Sequence, residues 1–280
     1  MLLSPTKEDY ARECARELLS SLPSLPCPVL LEPLAEARGI KRIARIKLDS
    51  DGFLFDDGAN LIIYVNSQLS NPRYRFTCAH EIGHTYFKKP PVSMSSSVSR
   101  QNSLGCRTEF AERGAEEEYL CDIFAVELLM PSALARVIVD REGPSFRCIH
   151  QLASAFHVSI SAAAWCLSEL VKANVGIIWF KPMAKPSDAN DIKLRLAWGV
   201  FPRRSRTYLP RFDAVPQDSL ISKCFTSQQT LEGFEKLNFG SVRGVQYLAC
   251  KRFGKSVLCL VFPEPPQSRQ SSHYPMSLPI

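Results

Sequence analysis

Arg75-Phe76-Thr77-Cys78-Ala79-His80-Glu81-Ile82-Gly83-His84 decides how this chain is read, because it carries two of the five histidines four positions apart, with an acid beside the first. The spacing is H-E-x-x-H on a stretch of helical character. Residues i and i+4 of a helix are surface neighbours, roughly 5–6 Å apart at Cβ, so the imidazoles of His80 and His84 reach one metal ion. Glu81, about 100° round the helix from His80, lies beside that ion without having to bind it. Two neutral imidazoles and an adjacent carboxylate are what hydrolysis at zinc requires: an open coordination position, a bound water of lowered pKa and a base for its proton. The competing reading is two surface histidines on an ordinary amphipathic helix. Ala79, Ile82 and Tyr86 form an apolar side that would bury the turn in either case.

A third ligand is sought downstream. The stretch from Glu116 to Pro131, EEEYLCDIFAVELLMP, reads as a helix, with Leu120, Phe124, Leu128 and Leu129 at helical spacing and Pro131 closing it. Glu118 and Asp122 stand one turn apart on one face. Glu118 can therefore complete a His₂Glu set, with Asp122 orienting a ligand imidazole from behind. The alternative is that three consecutive glutamates are a solvated helix start, favoured by the macrodipole, and Glu116 and Glu117 are read that way.

With these two motifs on the page, Arg-Phe-Thr-x-Ala-His-Glu-Ile-Gly-His and Glu-x-x-Cys-Asp-x-Phe-Ala-x-x-Leu-Leu-Met-Pro, the chain resembles the ImmA/IrrE metallo-endopeptidases. The resemblance implies a zincin-like fold, His80, His84 and Glu118 as metal ligands, and Glu81 as general base. It implies Zn²⁺ as the ion, with Mn²⁺ as the alternative; the divalent affinity order favours zinc at such a site. The family's second motif usually reads Glu-x-x-Ala-Asn-x-Phe-Ala, so Cys121 and Asp122 replace the commoner Ala and Asn without touching the ligands. The implied substrate is a protein, a helix-turn-helix transcriptional repressor whose cleavage switches on stress-response or mobile-element genes.

The bulk properties bound the rest. A chain of 280 residues with 45% hydrophobic content accommodates two or three compact units. No apolar run of about 18 residues is present, so no membrane span is expected. The first residues, Met-Leu-Leu-Ser-Pro-Thr-Lys-Glu, lack a basic and then apolar leader. Ten cysteines without a C-x-x-C pair argue against a zinc ribbon and a disulfide scaffold. A cytoplasmic location follows as the expectation. Residues 1–170 hold 18 Lys and Arg against 21 Asp and Glu, whereas residues 171–280 hold 16 against 7, so the basic surplus lies in the last third. It suits an acidic partner or nucleic acid, or equally a set of solvated loops.

Taken in order, residues 5–20 form an opening helix with Thr6 as N-cap, and Val29–Ala37 a second, stopped at Gly39. Strand-like runs follow at Lys41–Leu48, Gly52–Phe55 and Leu61–Asn66, the last two joined by the turn-rich Asp56–Asn60. An edge strand of such a sheet would pair with extended substrate. Leu61–Val65 is one candidate, although its apolar run suits a central strand better. The connection Lys88–Glu109, with Pro90-Pro91 and a serine cluster, is expected to be a rim or lid beside the metal, or plain disorder. Cys106 within it is a remote candidate for an inhibitory thiolate.

Residues 148–170 read as helix, turn and helix around His157-Val158-Ser159. The second helix, Ser159–Leu167, has none of the Arg, Lys, Asn or Gln that read base edges, so direct DNA binding is not expected. A structural role or a protein partner is. Beyond Val175, runs at Val175–Phe180, Leu194–Val200, Val245–Lys251 and Ser256–Phe262, with a helix near Pro216–Cys224, resemble the GAF-like sensory domain of the IrrE branch. Such a domain implies a small-molecule effector; a plain α+β packing domain is the competing reading.

The expectation is thus an α+β chain. A zincin-like metallopeptidase domain occupies residues 1–135, a helix-turn-helix-like region 136–172, a GAF-like domain 173–264 and a disordered tail 265–280. The rival function is a non-catalytic regulator that binds a protein or DNA through the helix-turn-helix-like region.

Overall fold

The computed structural model describes residues 6–87, 108–171, 175–201, 212–240, 242–262 and 264. It is a mixed α+β chain in two compact units, Met1–Leu170 and Val171–Ile280.

The first unit opens with α1 (Lys7–Ser20), started by a reciprocal capping box in which Thr6 and Asp9 each accept from the other's backbone N–H. Its apolar stripe, Ala11, Cys14, Ala15, Leu18 and Leu19, is buried. α2 (Leu31–Ala37) follows, and the chain turns through Gly39, whose φ of +76° suits glycine. Three strands come next: β1 (Ile40–Ile46), β2 (Gly52–Asp56) and β3 (Leu61–Asn66). The β2–β3 turn is held by Asp56 and Asp57, whose carboxylates accept from the backbone N–H groups of Gly58, Ala59 and Asn60.

The sheet order is β1-β3-β2, with β1 parallel and β2 antiparallel to β3. The apolar run Leu61–Val65 is therefore central, with Ile63 and Val65 fully buried, and the edges are β1 and β2. Gly52 lets β2 lie close to its neighbours: a Cβ there would sit 2.6 Å from Thr77 Cγ2 and 2.8 Å from the Tyr64 carbonyl oxygen.

Next are α3 (Asn71–Phe87), α4 (Thr108–Leu129), α5 (Ser132–Glu142), α6 (Phe146–Phe156) and α7 (Ile160–Leu170). α4 begins eight residues before the Glu116 expected from the sequence, and residues 108 and 109 of the expected connection are helical. The serine- and proline-based breaker signal stops short of Thr-Glu-Phe-Ala-Glu-Arg, a run rich in good helix formers. The rest of that connection, including Cys106, lies outside the described residues, as does the tail expected at 265–280.

Glu127, only 6% exposed, ties three elements together. It accepts from Arg16 of α1 at 3.1 Å and from the backbone N–H and hydroxyl of Ser132 at the start of α5, at 3.2 and 2.8 Å. α6 is N-capped by Ser145 and ends at His157, which takes the left-handed conformation with φ 53°. Ser159 then accepts from the Ala162 N–H and starts α7. Leu152 and Phe156 of α6 and Ala163, Ala164 and Leu167 of α7 are fully buried.

The second unit has β4 (Gly176–Lys185), β5 (Asp188–Val200), α8 (Leu220–Ser227), β6 (Leu231–Phe239), β7 (Val242–Phe253) and β8 (Ser256–Phe262). The order is β5-β4-β8-β7-β6, antiparallel throughout. α8 covers a core that includes Ile178, Phe180, Leu196, Leu248 and Val261. β6 is not visible in the sequence pattern, because its alternation is impure: Phe234 is 65% exposed while Glu235 turns inward and accepts from the Leu220 N–H. Arg195, 4% exposed, donates to the carbonyls of Met183, Asp191 and Phe212 and to the Asp191 carboxylate, fixing the segment after β5. Among the described residues no helix is long and apolar enough to cross a membrane.

Candidate metal centre

α3 and α4 build the site by crossing where Gly83 leaves room. A Cβ on Gly83 would lie 3.2 Å from the Phe124 ring and 3.3 Å from Cys121 Cα, so the backbones meet as closely as a missing side chain allows. Thr77, Cys78, Ala79, Ile82 and Gly83 of α3 are buried toward the sheet and α4, leaving His80 and His84 on the cleft side. Their rings are 4.9 Å apart between centroids and inclined at 75°.

α4 meets these rings with a run of acids. His80 Nε2 lies 3.2 Å from Glu118 Oε2 and His84 Nε2 lies 3.7 Å from Glu118 Oε1. The other edge of each ring is also met by a carboxylate: His80 Nδ1 is 2.9 Å from Asp122 Oδ1, and His84 Nδ1 is 3.0 Å from Glu117 Oε1. The structure thus places His80, His84 and Glu118 within 3.2–3.7 Å contacts of one another and Asp122 at the opposite edge of His80. Glu117 departs from its reading as a solvated helix start. It faces His84, with its side chain 29% exposed, because α4 crosses α3 at an angle that turns this turn of helix inward. Only Glu116 keeps the solvent-side role, pairing with Lys7 of α1.

The donor chemistry tests whether a cation fits. An ionised carboxylate only accepts hydrogen bonds, and a neutral imidazole has a single N–H. Neutral rings with their protons at Nδ1, opposite Asp122 and Glu117, would turn each Nε2 lone pair toward the Glu118 oxygens. Two imidazole nitrogens beside the two oxygens of one carboxylate are a donor set that suits a cation such as zinc. His80, His84 and Cys121 also offer ligand atoms within 4.8 Å of one another. The Cys121 sulfur lies 3.5 Å from His84 Nδ1, the ring nitrogen that Glu117 also meets. Both Glu118 and Cys121 thus stand beside the histidine pair, Glu118 at the Nε2 atoms and Cys121 at His84 Nδ1.

Glu81 sits at the edge of this arrangement, 7% exposed, beside β2. Burial raises its pKa above the ordinary glutamate value; His84 and His80 pull the other way, and the backbone amide of Leu54 on β2 does so more weakly. At His80, burial acts to lower the imidazole pKa, but the hydrogen bond and charge of Asp122, with Glu81 and Glu118, outweigh it and raise it.

Residues 43–168 match the family model for the IrrE N-terminal-like domain, a peptidase domain. The radiation response metalloprotease IrrE of Deinococcus deserti is 32% identical over 115 residues, covering 40% of this chain and 38% of that protein. Its counterpart in Deinococcus radiodurans is 34% identical over 115 residues, covering 41% of this chain and 33% of that protein. The match thus spans 38% and 33% of these two relatives. Among solved structures, a Mycobacterium tuberculosis transcriptional regulator aligns with a TM-score of 0.52 over 90% of this chain and 86% of that one, at 11% identity, which is a likeness of fold alone.

Proposed function

From the premise that its N-terminal part, residues 43–168, belongs to the ImmA/IrrE family of metallopeptidases, we propose that this chain is a metal-dependent endopeptidase that cuts a regulatory protein. The observation that carries this reading is the convergence of both Nε2 atoms on Glu118, with Glu81 buried alongside. His80, His84 and Glu118 would hold the ion, zinc by donor type with manganese as the alternative. When bound, such an ion supplies a water of lowered pKa and polarises the scissile carbonyl.

The chain's own residues do the rest. Glu81 takes the proton of the attacking water and returns it to the leaving amine. Asp122, 2.9 Å from His80 Nδ1, keeps that imidazole proton on the far edge of the ring. β2 is an edge strand with Leu54 beside Glu81, which supports docking of an extended substrate segment by strand addition.

The substrate we propose is a helix-turn-helix transcriptional repressor, cut to release stress-response or mobile-element genes. α7 carries no Arg, Lys, Asn or Gln, the main readers of base edges, which supports a packing or partner-binding role for the α6–α7 pair rather than direct DNA control. The second unit is proposed to be GAF-like and to bind a small-molecule effector. Its antiparallel sheet under one helix supports this, as does a cavity of about 350 Å³ lined by Asp213, Ser219, Ile221, Glu235 and Phe239 among others. The nine described cysteines are free thiols, in keeping with a cytoplasmic setting.

Elemental analysis of the purified chain, followed by co-expression of wild type or Glu81→Gln with a neighbouring repressor, tests the reading. About one equivalent of metal in both, with cleavage by wild type alone, is the expected result. Absence of metal, or equal cleavage by both, overturns it in favour of a non-catalytic regulator.

A further inference from the structure

We infer that Glu117 is a positioning residue of the metal centre. Its carboxylate holds the Nδ1–H of His84 and so aims His84 Nε2 at the ion that its neighbour Glu118 ligates. The inference rests on the metallopeptidase reading above and goes beyond its ligand set.

Three observations carry it. The Glu117 Oε1 to His84 Nδ1 distance is 3.0 Å, matching the 2.9 Å of Asp122 to His80 on the other ring. An acceptor-only group at that distance fixes the tautomer, leaving the Nε2 lone pair free for a cation. The register explains how one helix does both jobs. Glu117 and Glu118 are successive residues, about 100° apart around α4, so they clasp His84 from its Nδ1 and Nε2 edges. Glu118 and Asp122, one turn apart, do the same to His80.

Exposure is the third observation. The Glu117 side chain is 29% exposed against 48% for Glu116 and 61% for Glu118, so within the acidic run Glu117 is the member turned most toward the protein. The rival for His84 Nδ1 is Cys121, whose sulfur is farther away at 3.5 Å and a weaker acceptor than a carboxylate.

The test uses the full chain, stripped of metal, as wild type, Glu117→Ala, Glu117→Gln and Cys121→Ala. Zn²⁺ affinity is read by competition with a chromophoric chelator, and the donor set by the absorption spectrum of the Co²⁺ form. Loss of the partner behind a ligating histidine weakens metal binding by about 10–100-fold, and that is expected for Glu117→Ala. Glu117→Gln should recover part of the loss, because its amide oxygen still accepts from Nδ1–H, and it keeps the test open if the alanine variant folds poorly. Cys121→Ala should leave both affinity and spectrum unchanged, with no sulfur-to-cobalt charge-transfer band in any form. Wild-type affinity in Glu117→Ala, or a sulfur band that Cys121→Ala abolishes, overturns the assignment. A wild-type chain that binds no Zn²⁺ at all sinks the metallopeptidase reading itself, which is a different result.

Discussion

Replacing Gly83 by alanine isolates what the close crossing of α3 and α4 contributes. In a helix, alanine is favoured over glycine by about 1 kcal/mol. At Gly114, also on α4, a new Cβ would meet nothing within 4 Å, so Gly114→Ala should gain up to that amount. At Gly83 the same methyl would lie 3.2 Å from Phe124 Cδ1 and 3.3 Å from Cys121 Cα. The Phe124 ring can turn a little, but Cys121 Cα belongs to the backbone of α4, between Glu118 and Asp122. Relief therefore means moving α4 outward by a few tenths of an ångström, which draws both carboxylates away from the imidazoles. Overpacking of this kind typically costs about 1–3 kcal/mol. Gly83→Ala should accordingly be about 1–3 kcal/mol less stable than Gly114→Ala, at about 2–4 °C of melting temperature per kcal/mol for a domain of this size. Thermal unfolding of the two metal-free variants measures the difference. Chelator competition should show weakened Zn²⁺ binding for Gly83→Ala only. A Gly83→Ala protein as stable as Gly114→Ala, with unchanged metal affinity, would refute the claim that this crossing sets the site.

Other expectations follow from single residues. Glu81→Gln should lower the rate of peptide hydrolysis by at least about 10²–10⁴-fold, the usual contribution of a general base, while retaining metal by elemental analysis. Phe124→Ala should destabilise the first unit by about 3–5 kcal/mol in urea unfolding, since Phe124 is fully buried against Tyr86 and Phe87. Cys166, on α7, gives a pH prediction: burial pushes its thiol up to about 12 from an ordinary 9.0. Between those values the unfolded chain loses its proton first. The stability linked to this thiol is therefore intact below pH 9 and lost as pH rises toward 12, and Cys166→Ala should flatten that part of an alkaline unfolding curve. In the second unit, Arg195→Leu should cost several kcal/mol, because it strands the carbonyls of Met183 and Phe212; equal stability by denaturant titration would count against the buried clamp.

How much of this was legible beforehand depended on whether the signal was local. The Thr6 N-cap of α1, the strand Leu61–Asn66 and the last strand Ser256–Phe262 follow from patterns of residues close in sequence, and the structure places them there. The start of α4 did not follow, because helix propensity upstream of Glu116 competes with a serine-rich run and no breaker stands at the boundary. β6 did not follow either, since the inward position of Glu235 is decided by the N–H of Leu220 on another element.

The sequence by itself determined the i and i+4 histidines, the acid between them and the later acidic helix, for these need only the 3.6-residue period of a single helix. It also determined that the run Leu61–Val65 belongs in an interior, since four of its five residues are aliphatic. What only the tertiary structure decided is which ring edge each carboxylate of α4 meets: Glu118 at both Nε2 atoms, Asp122 and Glu117 at the two Nδ1 atoms, with Cys121 also near His84 Nδ1. Those assignments depend on the crossing of two helices at Gly83, and the relative rotation of two helices is a property of their packed interface that neither one's periodicity contains.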